Sequence, residues 1–430
     1  MKVILRNVNL FHPLEKIDEK QIDIIIVDGR ISKIGRLTEE ETVGVKVFEL
    51  GNKTVVPGFM DMHVHLREPG REDEETVKSG CDSAAAGGFT AIACMPNTEP
   101  AIDSAEIITL IKREALGHLV DVFPIGAATL GRKGDVISPM AELKDAGAVG
   151  FSDDGVSIRS SAILKRAMEY SLMYNLPIIE HCEDESLSDG AMNEGINSTI
   201  LGLPPLPSVA EDIIVSRDIL MAEYTGGTLH IAHLSTKKSV ELVREAQKRG
   251  IKVTAEASPH HFTLTDDTLK SYDTNLKMNP PLRGKNDRDA IIEGLKDGTI
   301  GCIASDHAPH SPEEKEAEFE SAPNGIIGLE TEVGLVLTEL YHKKKLNITQ
   351  VIEKLSINPR KILNIPIPSF RIGEVGNFTL LDLNEVWTVD ISGFKSKSKN
   401  SPFDKKLLNG KAVGVINKSK MFFQGGYIQL

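Results

Sequence analysis

Long apolar runs are missing. No window of the 430 residues approaches the ~18 uncharged apolar residues of a membrane helix, and the opening MKVILRNVNLFHPLEK carries Arg6 inside its short apolar run with no small-x-small cleavage site. A cytoplasmic protein that does not enter a membrane is therefore expected. Cysteine is scarce: Cys81, Cys94, Cys182 and Cys302 are widely spaced with no C-x-x-C, which gives neither a disulfide framework nor a thiolate metal site. Reduced, buried thiols are the expectation. Blocks of like charge are also absent, and 49 Lys+Arg against 62 Asp+Glu leave a net charge of −13. That balance argues against a nucleic-acid partner or an anionic membrane surface. There is no internal repeat and no low-complexity region.

What is present describes a large folded chain. Apolar residues make up 40% and charged residues 26%, enough to bury a sizeable core. The two ends read as β-structure. VILRNVNL, IDIIIV and RISKIG open the chain, with Asp28-Gly29 suited to a tight hairpin turn that needs positive φ. NFTLLDL, VWTV and GKAVGVINKSKMFFQGGYIQL close it, rich in β-branched and aromatic residues and broken by glycine. Between the ends, eight apolar runs alternate with amphipathic stretches such as SAILKRAMEYSLMY and KSVELVREAQKRG: TVVPGFMDMHVH, FTAIACM, VDVFPIGA, AVGFS, LPIIEH, TLHIAH, IKVTAE and TIGCIAS. This alternation predicts an α/β fold, a parallel (β/α)8 TIM barrel with a small β-sandwich domain built from both chain ends. The expected boundaries are 1–54 and 366–430 for the sandwich and 55–365 for the barrel. Residues 392–408, SGFKSKSKNSPFDKKLL, read as an exposed loop, and His12, His118 and His342 as solvated.

In a barrel enzyme, ligands, acids and bases lie at the C-terminal ends of the strands. The first run ends in His63-Val64-His65, and His63, His65 and Arg67 share one face if extended geometry persists. The fourth run ends in Asp153-Asp154, the fifth in Glu180-His181, the sixth in His230-Ile231-Ala232-His233, and the eighth in Asp306-His307 with His310 beyond. Imidazoles and carboxylates converging from different strands suit Zn²⁺ or a similar divalent ion. His230 and His233 are three apart and cannot both face inward on a regular strand, so one of them is structural. His260-His261, after the seventh run, is expected to pack or hydrogen-bond there.

With those residues placed, the string Pro57-Gly58-Phe59-Met60-Asp61-Met62-His63-Val64-His65-Leu66-Arg67-Glu68-Pro69-Gly70 resembles the opening of the cyclic-amide hydrolases of the amidohydrolase superfamily. Met95-Pro96-Asn97-Thr98, Phe151-Ser152-Asp153-Asp154-Gly155, His233-Leu234-Ser235-Thr236-Lys237, Met278-Asn279-Pro280-Pro281-Leu282-Arg283 and Ala304-Ser305-Asp306-His307-Ala308-Pro309-His310 resemble the bacterial type I dihydroorotases, in the expected order across nearly the whole chain. The resemblance implies that His63 and His65 hold the more buried metal, with Asp306 completing that side. It implies that His181 and His233 hold the second metal, with Asp154 bridging both and Asp153 the runner-up. Arg67, Asn97 and His310, with His65 beside them, would hold a substrate α-carboxylate. Asn279 and the backbone around Asn324-Gly325 would hold the pyrimidine ring. Hydantoinases and allantoinases generally place a carboxylated lysine where this chain has Asp154. An aspartate bridges two cations without modification, yet its shorter side chain leaves one or two Zn²⁺ ions per chain both open.

The implied reaction is the reversible cyclisation of N-carbamoyl-L-aspartate to (S)-dihydroorotate in pyrimidine biosynthesis. It needs a strong nucleophile at neutral pH, carbonyl polarisation and a proton for the leaving nitrogen. Zn²⁺ supplies the first two by lowering the pKa of bound water to about 7 and acting as a Lewis acid, and Asp306 shuttles the proton in both directions. The overall negative charge does not exclude an anionic substrate, because screening confines surface fields to about 8 Å and local cations decide. The alternatives are another cyclic amidohydrolase (hydantoinase, dihydropyrimidinase or allantoinase) and a non-catalytic homologue that scaffolds aspartate transcarbamoylase. The resemblance further implies a homo-oligomer and a complex with aspartate transcarbamoylase.

Overall fold

A computed structural model of the chain describes residues 1–38 and 40–430. The first strands are β1 (Lys2–His12), β2 (Ile17–Val27), β3 (Arg30–Gly35), β4 (Lys46–Glu49) and β5 (Thr54–Pro57). The β2–β3 hairpin turns on Asp28 and Gly29 at φ 47° and 76°, the left-handed conformation expected there. The barrel follows. Its strands are β6 (Phe59–Val64), β7 (Phe89–Cys94), β8 (Asp121–Pro124) with its continuation β9 (Gly126–Ala127), β10 (Phe151–Ser152) and β11 (Ile178–Glu180). After a two-stranded excursion of β12 (Met192–Asn193) and β13 (Pro205–Leu206), the barrel resumes with β14 (Leu229–Ile231), β15 (Val253–Ala257) and β16 (Cys302–Ile303).

Every pairing among the barrel strands is parallel. The ring closes where Val64 bridges His307 and His65 N–H donates to the His307 carbonyl at 2.9 Å. β6 is buried along its whole length, as a strand covered on both faces must be. Met60, Met62, Ala91, Ala93, Ile125, Ile179 and Cys302 form one cluster within the strands, a floor of uncharged side chains. The helices obey local chemistry: Thr236 caps Lys237–Lys248 by accepting from Ser239 N–H, and Val240, Val243 and Ala246 bury one stripe of it.

The chain ends meet as expected. β17 (Asn377–Thr388), β18 (Leu407–Asn417), β19 (Lys420–Phe423) and β20 (Gly426–Gln429) join β1 to β5 in one nine-stranded sheet, with β5 between β1 and β17. Residues from both ends, among them Ile24, Ile26, Ile31, Phe378, Ile416 and Met421, share one buried cluster. The first apolar run is not one strand, however. It divides at Gly58: Thr54–Pro57 belongs to the end sheet, and only Phe59 onward belongs to the barrel. A Cβ at Gly58 would overlap the side chains of Asn377 and Thr90, so the chain crosses between the two sheets at a residue without one.

Two expectations of exposure are corrected, the first in part. Within residues 392–408, Ser392, Gly393, Lys395, Lys397, Asp404 and Lys405 are exposed as expected, but Ser396, Ser398, Asn400 and Ser401 are at most 5% exposed, so the segment is anchored rather than free. Their polar groups meet buried partners: Ser396 Oγ and Lys397 N–H donate to Glu75, Ser398 Oγ donates to the Glu74 carbonyl at 2.8 Å, and Asn400 Nδ2 donates to the Ala308 carbonyl at 2.9 Å. His12 is also buried, its Nε2 2.9 Å from the Pro368 carbonyl and its ring edge-on to Phe370. His118 lies 3.1 Å from Asp82, and His342 2.7 Å from the Leu383 carbonyl. The four cysteines are buried and unpaired, as expected.

Candidate metal centre and substrate site

Asp61 fixes the end of the first barrel strand. Its Oδ1 accepts from His63 N–H at 2.9 Å and its Oδ2 from Ser305 N–H at 3.1 Å, which ties the strand carrying His63 and His65 to the one leading to Asp306. Pairing is irregular between Asp61 and Val64, and the His63 and His65 rings end 5.4 Å apart beside Asp154. On the other side, buried Glu211 accepts from Ser235 N–H and Thr236 N–H at 3.1 Å each, which shapes the turn after His233. Arg67, His233 and Asp306 all adopt positive φ, 60°, 30° and 51°. Such conformations in non-glycine residues concentrate where surrounding structure imposes a function.

The cluster these turns assemble is compact. His63 Nε2 lies 3.4 Å from Asp154 Oδ1 and 3.5 Å from Asp306 Oδ1; His65 Nε2 lies 3.7 Å from Asp154 Oδ2 and 3.2 Å from Asp306 Oδ1. His233 Nε2 is 3.7 Å from Asp154 Oδ1 and 3.0 Å from His181 Nδ1. Metal donors about 2.1 Å from a tetrahedral ion stand about 3.4 Å from each other, the spacing seen here. His63 Nε2 and Asp154 Oδ1 are buried without a hydrogen bond among the described residues, as groups awaiting a cation would be. Two donor sets share Asp154: His63 with His65, and His181 with His233. The residues fit a divalent metal.

Electrostatics agrees. Burial disfavours the Asp154 carboxylate, yet His63 and His233 hold its pKa well below the usual range. Burial likewise opposes Asp306, and His65 and His63 again win, so its pKa is lowered. His63 is pushed up against its own burial by Asp154 and Glu256, because the acceptor field that would retain a proton there also attracts a cation. Asp153 faces elsewhere. It accepts from Thr129 N–H at 2.9 Å and from Thr129 Oγ1, which leaves Asp154 as the carboxylate facing the histidines.

The other sequence-derived residues surround this cluster. Asn97 Oδ1 is 2.7 Å from His65 Nδ1. Arg67 Nη2 is 3.3 Å from His310 Nε2, which in turn lies 2.8 Å from the Asn324 carbonyl. Asn279 Nδ2 donates to Glu183 at 3.0 Å and lies 3.3 Å from His181 Nε2. Gly325 N–H donates to the Lys277 carbonyl at 3.0 Å, and at its φ of 127° a Cβ would stand 2.6 Å from Ala308 Cβ. His230 is the structural member of its pair, hydrogen-bonded to Thr254 and Glu256. His261 Nε2 meets the Pro280 carbonyl at 3.0 Å, whereas His260 Nε2 has no partner among the described residues and burial lowers that ring to about 4.

Sequence reasoning passed over several supporting carboxylates. Glu256 Oε1 meets His63 Nδ1 at 2.6 Å, and Glu74 meets both Arg67 and His310. Glu256 ends the seventh apolar run, so the strand-end rule that exposed the histidines points to it too. Glu74 sits in the acidic stretch Arg71-Glu72-Asp73-Glu74-Glu75, where composition alone suggests a solvated turn.

Residues 52–239 match the family described as Dihydro-orotase-like. The chain is 47% identical over 431 residues to a protein named Dihydroorotase from Pelotomaculum thermopropionicum, with all of both chains covered. It is 49% identical over 391 residues to another Dihydroorotase, from Acetivibrio thermocellus, covering 90% of this chain and 91% of the relative. Among solved structures, an L-hydantoinase (dihydropyrimidinase) from Arthrobacter aurescens superposes with a TM-score of 0.87 at 26% identity, over 100% of this chain and 97% of that one. A dihydropyrimidinase from Brevibacillus agri shares the fold at a TM-score of 0.84 and 20% identity, over 100% of this chain and 95% of that one.

Proposed function

This chain belongs to the dihydroorotase family, and on that premise we propose that it interconverts N-carbamoyl-L-aspartate and (S)-dihydroorotate in pyrimidine biosynthesis. The observation that carries the reading is a juxtaposition. A cluster of four histidines and two carboxylates adjoins a cationic corner, in which Arg67 Nη2 approaches His310 Nε2 to 3.3 Å. The cluster suits opening or closing a cyclic amide, and the corner suits a carboxylate on that ring.

His63, His65 and Asp306 would hold zinc on one side, and His181 with His233 on the other, with Asp154 between. One or two such ions would supply a nucleophilic water at neutral pH and polarise the carbonyl. Asp306 moves the proton. Ionised in its pocket, it can accept a proton from the attacking water and then deliver it to the ring nitrogen as the amide C–N bond breaks. Cyclisation runs the same transfers backwards. Arg67, His310 and Asn97 grip the α-carboxylate, and Asn97 also orients His65 through the 2.7 Å contact. Asn279 and the backbone at Asn324 and Gly325 border the ring. With Asp306 only 7% exposed and Asp154 2%, bulk water is largely excluded from the cluster.

The hydantoinase fold neighbours make a neutral cyclic amide the competing substrate. Asp154 in place of a carboxylated lysine, and the Arg67 and His310 corner, favour dihydroorotate. The same reading carries a cytoplasmic setting, a homo-oligomer and association with aspartate transcarbamoylase, each open to gel filtration and pull-down. The deciding experiment assays purified protein on dihydroorotate, dihydrouracil and hydantoin while its bound zinc is counted. Turnover of dihydroorotate well above the other two supports the proposal, and preference for a neutral ring overturns it. Asp306→Asn should lose about 10²–10⁴-fold in both directions, with bound zinc counted alongside because Asp306 is also placed among the metal's ligands. A variant keeping a tenth of the parent kcat would remove Asp306 from its role.

A further inference from the structure

Glu74 takes no part in the metal cluster or in any step above. It is 1% exposed, and its backbone is fixed by its own N–H donating to the Arg71 carbonyl at 3.0 Å and by Ser398 Oγ donating to its carbonyl at 2.8 Å. Its carboxylate is shared between Arg67 and His310. Oε2 lies 3.1 Å from Arg67 Nε, and Oε1 accepts from His310 Nδ1 at 2.9 Å and from Arg71 Nη2 at 3.2 Å.

Arg67 follows the first barrel strand and His310 the eighth; the backbones of those segments meet at His65 and His307, and it is the buried Glu74 carboxylate that spans the two side chains. Arg67 Nε is occupied by Glu74 and by the Pro309 carbonyl at 3.1 Å, which leaves the terminal nitrogens as its ligand-binding end, Nη2 standing 3.3 Å from His310 Nε2. His310 Nε2 is 2.8 Å from the Asn324 carbonyl and would exchange that contact for a substrate oxygen, so a guanidinium and an imidazole held this way can meet one carboxylate with both groups already placed. Glu314 approaches the same His310 Nδ1, at 3.3 Å, but its other oxygen pairs with Arg71 rather than Arg67 and its side chain is 34% exposed, so it does not join the two groups as Glu74 does.

We propose that Glu74 is a positioning residue that sets the grip of Arg67 and His310 on the substrate α-carboxylate, and so helps the site choose dihydroorotate over a plain dihydropyrimidine ring. This rests on the dihydroorotase reading above. A purely electrostatic role has the opposite sign, because a negative charge near the substrate carboxylate repels it. Glu74→Gln separates the two. Positioning predicts a KM for dihydroorotate raised about tenfold or more, kcat within about threefold, unchanged zinc content, and kcat/KM on dihydrouracil within about twofold of the parent. In an Arg67→Met background the same substitution should change KM by less than about threefold, since its main partner is already gone.

A KM that is unchanged or lower in Glu74→Gln overturns the proposal, as does an equal loss on dihydrouracil. Should Glu74→Gln not fold, Glu74→Asp replaces it; it keeps the charge but shortens the reach by one methylene, so positioning still predicts a raised KM and an unchanged KM still overturns it. A parent enzyme without activity on dihydroorotate would instead defeat the family reading, which the parent assay alone reveals.

Discussion

Nδ1 of His63 lies 2.6 Å from Oε1 of Glu256, and both side chains are wholly buried. The contact commits Nδ1 to donating, which leaves Nε2 with a lone pair aimed at the Asp154 side of the cluster. Glu256 also meets His230 Nε2 at 3.2 Å, and these rings hold its pKa at about 2 although burial alone would raise it. Glu256→Gln keeps the shape and loses the charge, and its amide nitrogen can face the imidazole as a donor. Zinc affinity, measured by competition with a chelator, should fall about 10- to 100-fold. Affinity equal to the parent's would show that His63 needs no buried counter-charge.

Asp154 carries its negative charge without chemical modification. Zinc-stripped protein should therefore regain activity on zinc alone in CO2-depleted buffer, with no further gain from bicarbonate. Dependence on bicarbonate would move the bridging role to a carboxylated lysine.

Arg67 should decide between substrates more than it decides rate. Arg67→Met removes a charge-assisted contact of ~1.5–3 kcal/mol, or roughly 10- to 150-fold in kcat/KM on dihydroorotate. Dihydrouracil, which lacks the carboxylate, should be a poor substrate for the parent and lose little more in the variant. Structural damage would lower zinc content and depress both substrates together. Equal losses with zinc intact would detach Arg67 from the carboxylate.

The barrel was legible because eight apolar runs alternate with amphipathic stretches and most of them end in polar residues. His63 ends one strand and Asp154, His181, His233 and Asp306 follow four others, and the strand-end rule alone brings them to one mouth. What stayed hidden depends on partners distant in sequence. Ser396 and Ser398 read as solvent-seeking until Glu75 and the Glu74 carbonyl, more than 300 positions away, are placed against them. Gly58 divides an unbroken apolar run because of Asn377 and Thr90, which no periodicity within the run records. His12 looked exposed in a hairpin for the same reason, since the Pro368 carbonyl that buries it comes from the far end of the chain. Between Asp153 and Asp154 the family resemblance favoured the second. The physical reason emerged only with Thr129, which occupies the first.

Glu330 should make stability depend on pH in a way one substitution can isolate. Its Oε1 accepts from Ser83 Oγ at 3.0 Å, Lys395 N–H at 2.7 Å and Ser396 N–H at 3.1 Å, anchoring the segment that runs on past Glu75. Burial nevertheless pushes the carboxyl up from 4.5 to about 7, because three donors do not repay its desolvation. The folded state thus binds this proton more tightly than the unfolded chain. The contribution is fully present below about pH 4.5 and is lost as pH rises through about 7, by at most about 3 kcal/mol. Glutamine at this position keeps all three bonds on its carbonyl oxygen and cannot ionise. Urea midpoints of Glu330→Gln and the parent should therefore nearly coincide near pH 4.5, and the variant should become the more stable of the two by pH 8. Every other titrating group is common to both proteins, so the difference between their pH profiles belongs to Glu330. A gap that stays constant from pH 4.5 to 8 would mean that this carboxyl ionises as freely in the folded protein as in the unfolded chain.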